Sequence, residues 1–178
     1  KNLTLYALSV DNVNKRNKNE IKNLFSLLYK YLTKNINIFV KNKTEIKFIG
    51  EKRNLTQKVK KILTKCEDLT KNKKKKITIN IAFNYSSKLE IINSFKKNIR
   101  DKNILNISNI SKFLYTNQSP DPEILIRTGG YTRLSDFLLW QCSYSEIFFV
   151  KKLWPDFKPK DLSLILNKYA KLKRSFGS

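Results

Sequence analysis

Ile124-Leu125-Ile126-Arg127-Thr128-Gly129-Gly130-Tyr131-Thr132-Arg133-Leu134-Ser135-Asp136-Phe137 is the stretch on which the reading of the whole chain turns. A short apolar run predicts a buried strand over 124–127. A Gly-Gly turn follows, and the apolar residues beyond it predict a helix over 133–144. Open α/β sheets bind their ligands just past the carboxyl ends of the strands. Arg127 and Arg133 flank the turn, and Ser135 follows. Guanidinium forks and hydroxyls near a helix N-terminus hold phosphate well. The segment therefore reads as an anion pocket, most simply one for a diphosphate.

Working outward, strands and helices alternate. Residues 3–8 are apolar enough for a buried strand, and 9–19 read as a polar loop. Residues 20–32 carry Ile21, Leu24, Phe25, Leu28 and Leu32 at helical spacing. A strand is expected over 46–49, ending at Gly50, then a helix over 55–69 with Val59, Ile62, Leu63 and Cys66 on one side. A third strand spans 77–83 and a third helix 87–99. Residues 104–115 are ambiguous, with a short helix as one reading. Pro120 and Pro122 break the chain before the strand at 124–127. A last strand is expected over 147–150, a turn framed by Pro155 and Pro159, and a closing helix over 160–173. This order predicts an α/β fold, with a mostly parallel central sheet flanked by helices on both faces. There is no repeat and no linker, so residues 1–178 are expected to form a single domain.

Composition narrows the class. The chain has 178 residues, 40% of them hydrophobic, so it is no disordered tail. No apolar run is long enough to predict a membrane span, and no signal-peptide pattern opens the chain. Cys66 and Cys142 lack metal-type spacing and read as reduced structural thiols, which suits a reducing, cytoplasmic compartment. The net charge of +23 suits nucleic acid or an anionic membrane surface. The abundance of Lys, Asn, Ile, Phe and Tyr also suits AT-rich codons, which would raise the charge without selection for binding. Lys73–Lys76 reads as a solvated loop. The chain contains no Met and no His and opens almost directly on a strand, so residues upstream of Lys1 are expected.

Several ordered motifs carry a family resemblance. They are Leu3-Thr4-Leu5-Tyr6-Ala7-Leu8-Ser9-Val10-Asp11-Asn12, Ile79-Asn80-Ile81-Ala82-Phe83-Asn84-Tyr85 and Ile126-Arg127-Thr128-Gly129-Gly130. Arg133-Leu134-Ser135-Asp136-Phe137-Leu138-Leu139-Trp140-Gln141, Tyr144-Ser145-Glu146-Ile147-Phe148-Phe149 and Leu153-Trp154-Pro155-Asp156-Phe157 complete the set. Together they resemble the cis-prenyltransferases, the undecaprenyl diphosphate synthase family, from the first residues to Phe176-Gly177.

The resemblance implies a reaction: isopentenyl diphosphate is added with cis geometry to an allylic diphosphate, usually farnesyl diphosphate. Repetition gives a polyprenyl diphosphate lipid carrier. It implies Mg²⁺ as cofactor, a homodimer, and a peripheral membrane contact suited to a lipid product. Arg127, Arg133 and Ser135 would hold the diphosphate of isopentenyl diphosphate, and Glu146 would ligate Mg²⁺. Ser9, Asp11 and Asn12 fall in the loop that touches the allylic substrate. Asn12 matches the asparagine assigned to proton removal, although an amide is a poor base and suits positioning better. Tyr85 would help shape the substrate region and reads equally as core. The faces of Leu24, Phe25 and Leu28 read equally as core or as tunnel lining.

The chain also departs from the family. No His…Asp-Gly-Asn-Gly-Arg-type loop is present, and the family's first strand is missing with it. Its aspartate is the family's principal catalytic and metal-binding group, so these 178 residues alone are expected to be inactive. Val13 stands where the family has Trp. Lys15 stands where it has Arg, keeping the charge needed for substrate binding but losing the fork. Ser86-Ser87-Lys88 replaces Gly-Gly-Arg, and the C-terminal arginine cluster thins to Lys173-Arg174. Two other readings stay open. One is the non-catalytic subunit of a two-component prenyltransferase. The other, resting on charge alone, is a basic nucleic-acid-binding module.

Overall fold

The structure, a computed structural model, describes residues 1–53 and 55–174. Phe176-Gly177, where the family resemblance ends, lies outside the described residues. Two compact units are present, Lys1–Pro120 and Asp121–Ser178.

The first unit runs β1 (Asn2–Ser9), α1 (Val10–Lys15), α2 (Lys18–Lys41), β2 (Thr44–Ile49), α3 (Gln57–Thr70), β3 (Ile77–Tyr85), α4 (Ser87–Arg100) and α5 (Ile107–Ser111). Its sheet has the order β1-β3-β2, and both pairings are parallel. Parallel neighbours need long crossovers. Helices α1 and α2 precede β2, and α3 carries the chain from β2 to β3. β3 is central and changes character from one face to the other. Ile79, Ile81 and Phe83 join a core made by Leu32 and Ile36 of α2, Ile46 and Phe48 of β2, and Val59, Ile62, Leu63 and Cys66 of α3. Each fully buried aliphatic side chain there contributes roughly 1.5–3 kcal/mol.

The opposite face is polar and equally buried. Asn80 Nδ2 donates to Thr4 Oγ1 and Ser119 Oγ, Thr78 Oγ1 to Glu45, and Asn84 Nδ2 to the Glu51 carbonyl. The α4 helix covers this side, tied down by Asn93 on Glu51. Helices therefore flank both faces, as the alternating pattern predicts.

The second unit contains β4 (Ile124–Arg127), β5 (Glu146–Phe149), a 3-10 turn (Trp154–Asp156) and α6 (Pro159–Ala170). β4 and β5 pair in parallel, Ile124 opposite Glu146 and Arg127 opposite Phe149. Pro159 opens α6, and the Asp161 carboxylate accepts from the Lys158 N–H at its first turn.

Four local expectations change. The segment 133–144, expected to be a helix, is a succession of turns. Ser135, Asp136 and Leu138 have φ of 52°, 60° and 44°, and left-handed residues cannot propagate a right-handed helix. Leu138, Gln141 and Cys142 are still buried, so the apolar pattern there reports burial rather than helicity. Residues 9–19, expected to be a loop, contain α1, because Ser9 caps its first turn. The helix expected over 20–32 continues to Lys41 through Ile36, which stays in the core. The ambiguous 104–115 segment holds the five-residue α5, capped by Asn106.

Candidate active site

The first group of candidate residues lies at the carboxyl end of β1. Ser9 pairs with Tyr85 of β3 across an irregular register. Its hydroxyl accepts from the Asn12 N–H at 3.0 Å, so its side chain starts α1. That bond fixes the backbone of Asn12, which is half-buried. Asp11 and Lys15 form a 2.9 Å ion pair one helical turn apart, with side chains 76% and 77% exposed. So exposed a pair contributes little to stability. It does put the two residues within reach of one another, and the Lys15 ammonium keeps further donors facing solvent. Tyr85 is fully buried and meets the Tyr6 ring edge-on with centroids 6.0 Å apart.

Behind this end of the sheet lies a buried acidic network that the sequence reading missed. Tyr85 Oη donates to Glu90, and Glu90 also accepts from the Tyr115 N–H at 2.6 Å. Tyr115 Oη donates to Glu51, which also receives Asn93 and Arg53. Burial opposes ionisation of Glu51, but the bonds from Tyr115, Arg53 and Asn93 outweigh it and hold the carboxyl below its usual range. Burial and the Glu51 carboxylate push the Tyr115 phenol well above its ordinary value. Glu90 reads in sequence as an ordinary helix carboxylate. Only its partners show why it is 1% exposed.

The second group belongs to the other unit. Arg127 ends β4, and its carbonyl accepts from the Val150 N–H. Its Nε is buried with no hydrogen-bond partner. Gly129 and Gly130, at φ of 93° and 77°, form the turn that follows. Their N–H groups donate to the carbonyls of Lys152 and Val150, which staples the turn to the chain leaving β5. Tyr131 comes next, and its ring faces two cations. Arg133 Cζ lies 4.1 Å from the ring centroid and Arg127 Cζ 5.8 Å. Among the described residues no carboxylate forms an ion pair with either guanidinium. Arg133 and Ser135 are exposed. Ser135 adopts the left-handed conformation, so no helix N-terminus stands behind it, contrary to the sequence expectation.

Glu146 opens β5. Its N–H donates to the Glu123 carbonyl, and its carboxylate, 39% exposed, lies 3.7 Å from Arg174 Nε. Among the described residues no group of three His, Cys, Asp or Glu gathers as a metal cage. Both cysteines are free and buried, and burial pushes the Cys66 thiol up to about 11. Among the described residues no helix is long and apolar enough to cross a membrane.

Comparison with known proteins agrees with these motifs. A family model described as "Putative undecaprenyl diphosphate synthase" matches residues 1–177. The chain is 42% identical over 178 residues to an isoprenyl transferase of Fusobacterium nucleatum, covering 99% of this chain and 76% of that protein. It is 41% identical over 176 residues to an isoprenyl transferase of Rickettsia sibirica, covering 98% and 77%. Its fold superposes on the crystal structure of "a probable undecaprenyl diphosphate synthase" from Campylobacter jejuni with a TM-score of 0.91. That pair is 36% identical, over 99% of this chain and 83% of the other. Lavandulyl diphosphate synthase from Lavandula x intermedia, solved with dimethylallyl diphosphate, gives a TM-score of 0.89 at 29% identity, over 100% and 79%. The sequence motifs, the parallel α/β architecture and these likenesses agree, and the chain belongs to the undecaprenyl diphosphate synthase family of prenyltransferases.

Proposed function

We propose that this protein condenses isopentenyl diphosphate with a farnesyl-type allylic diphosphate in cis geometry and releases a polyprenyl diphosphate lipid carrier. The observation that carries the reading is the state of Arg127 and Arg133. Both guanidiniums stand at the carboxyl end of β4 without a carboxylate, and one has a buried N–H with nothing to bind. A buried donor left unmet costs about 1–3 kcal/mol, which a bound diphosphate oxygen would recover. Arg127, Arg133 and Ser135 thus hold the diphosphate of isopentenyl diphosphate in this reading. Asn12, positioned by the Ser9 cap, orients the allylic partner together with Asp11 and Lys15. Glu146 would hold Mg²⁺ through a carboxylate oxygen, and the bound ion would supply charge neutralisation at the leaving diphosphate.

The reading includes a homodimer, a cytoplasmic location and a peripheral membrane contact for the lipid product. It also holds that residues 1–178 alone bind one diphosphate without turnover, because no Asp-Gly-Asn-Gly-Arg-type loop is among them. The test is incubation with radiolabelled isopentenyl diphosphate, farnesyl diphosphate and Mg²⁺. Long prenyl product is expected from the protein extended upstream to include such a loop, and none from residues 1–178. Product from the 178 residues would overturn the division of labour. No product from the extended protein would overturn the enzyme reading and favour a non-catalytic subunit.

A further inference from the structure

Two arginines that share one anion repel each other when the site is empty, and long side chains so placed have many rotamers to escape into. Something must hold them together without consuming their N–H donors. A carboxylate would hold them but would occupy the donors the ligand needs. An aromatic face attracts a guanidinium through its quadrupole and leaves the edge N–H groups free. Tyr131 supplies such a face to both Arg127 and Arg133, whose Cζ atoms lie 5.8 Å and 4.1 Å from its ring centroid.

The ring is itself placed by the turn. An added Cβ on Gly129 would lie 3.8 Å from Tyr131 Cδ2, so the ring folds back over the glycine. That glycine donates to the Lys152 carbonyl at 2.7 Å, which anchors the turn to the chain leaving β5. The ring therefore hangs on a stapled segment, although half of it faces solvent. Its exposure of 51% is what an external platform shows, and is not what a core residue shows.

We propose that Tyr131 is a positioning residue for diphosphate binding: it holds the Arg127 and Arg133 guanidiniums together, donors free, before the anion arrives. The proposal rests on the reading of these arginines as the isopentenyl diphosphate site. It assigns the work to the face of the ring and none to the phenol hydroxyl.

The test uses the full chain, with inorganic pyrophosphate as the calorimetric probe. Tyr131→Phe keeps the face and is expected to bind like the original. Tyr131→Leu loses it and is expected to bind about 3- to 30-fold more weakly, with an unchanged thermal midpoint. In steady-state assays of the upstream-extended protein, Tyr131→Leu should raise KM for isopentenyl diphosphate and leave kcat near its original value. Arg127→Ala and Arg133→Ala separate the two readings. If they weaken binding while Tyr131→Leu does not, the platform is wrong and the diphosphate site stands. If none of the three changes binding, the site itself is wrong and the platform falls with it. If Tyr131→Phe binds as poorly as Tyr131→Leu, the hydroxyl and not the ring face is responsible. A fall in thermal midpoint matching the loss of affinity would mean that Tyr131 is merely structural.

Discussion

Single residues decide the backbone at two places in this protein. At Gly50, φ is +131° and an added Cβ would stand 2.2 Å from the Phe83 carbonyl oxygen. The end of β2 therefore runs so close to β3 that only hydrogen fits. Gly50→Ala is expected to destabilise the protein by about 3 kcal/mol through clash and forced φ. Urea titration reads this directly, and a loss below about 1 kcal/mol would show that the strands can part without penalty. At 135–138 the left-handed residues are not glycines. Such conformations persist where the surroundings over-determine them, and they gather at functional sites. Here they follow Arg133, in the segment proposed to hold a diphosphate. Its sequence reads as helix because propensity and apolar content carry no record of φ imposed from outside.

Helix α4 shows the same limit for a whole element. Its existence is legible from Ser87 onward, with the Ser86 hydroxyl capping the Leu89 N–H. Its orientation is not. The buried residues are Ser87, Glu90, Ser94 and Asn98, while Leu89, Ile92, Phe95 and Ile99 are exposed. A hydrophobicity pattern predicts the reverse. The reason is what the helix meets: Ser94 Oγ and Asn98 Nδ2 donate to the carbonyls of Ile110 and Asn109 in α5, and Asn93 Nδ2 donates to Tyr115 Oη. Glu90 answers Tyr85 and the Tyr115 N–H. Glu90→Ala would leave both donors unmet, and is expected to cost about 2–5 kcal/mol in chemical denaturation. Ile92→Lys should change stability by no more than about 0.5 kcal/mol, as an exposed substitution does. The opposite ranking of the two variants would overturn this account of the helix.

For the whole molecule the dominant quantity is charge, +23 from 37 Lys and Arg against 14 Asp and Glu. Sequence alone leaves three explanations, namely nucleic acid, an anionic membrane and codon bias. The α2 helix favours the second. Its outer side exposes Leu27, Tyr31 and Ile38, with exposed Lys30, Lys34 and Lys41 alongside. Apolar residues flanked by lysines suit the surface of an anionic bilayer. The protein is expected to sediment with vesicles containing anionic lipid and not with neutral ones, and to be released by salt. Equal binding to both, or preference for RNA over the vesicles, would reject the membrane contact.

The sequence by itself determined the order of the strands, the parallel α/β class and the family, because those follow from apolar periodicity and from motifs contiguous along the chain. The strand Ile124–Arg127 is read to the residue, and Arg127 and Arg133 are read from their chemistry as candidate anion ligands. Only the tertiary structure decided what holds those arginines, since Tyr131 reaches them through a turn whose φ angles no local pattern encodes. It also decided that Ser9 is spent on a helix cap and that Glu90 faces inward. For Glu90 the deciding partners, Tyr85 and Tyr115, lie outside its own helix, and there a side chain's neighbours in space are not its neighbours in sequence.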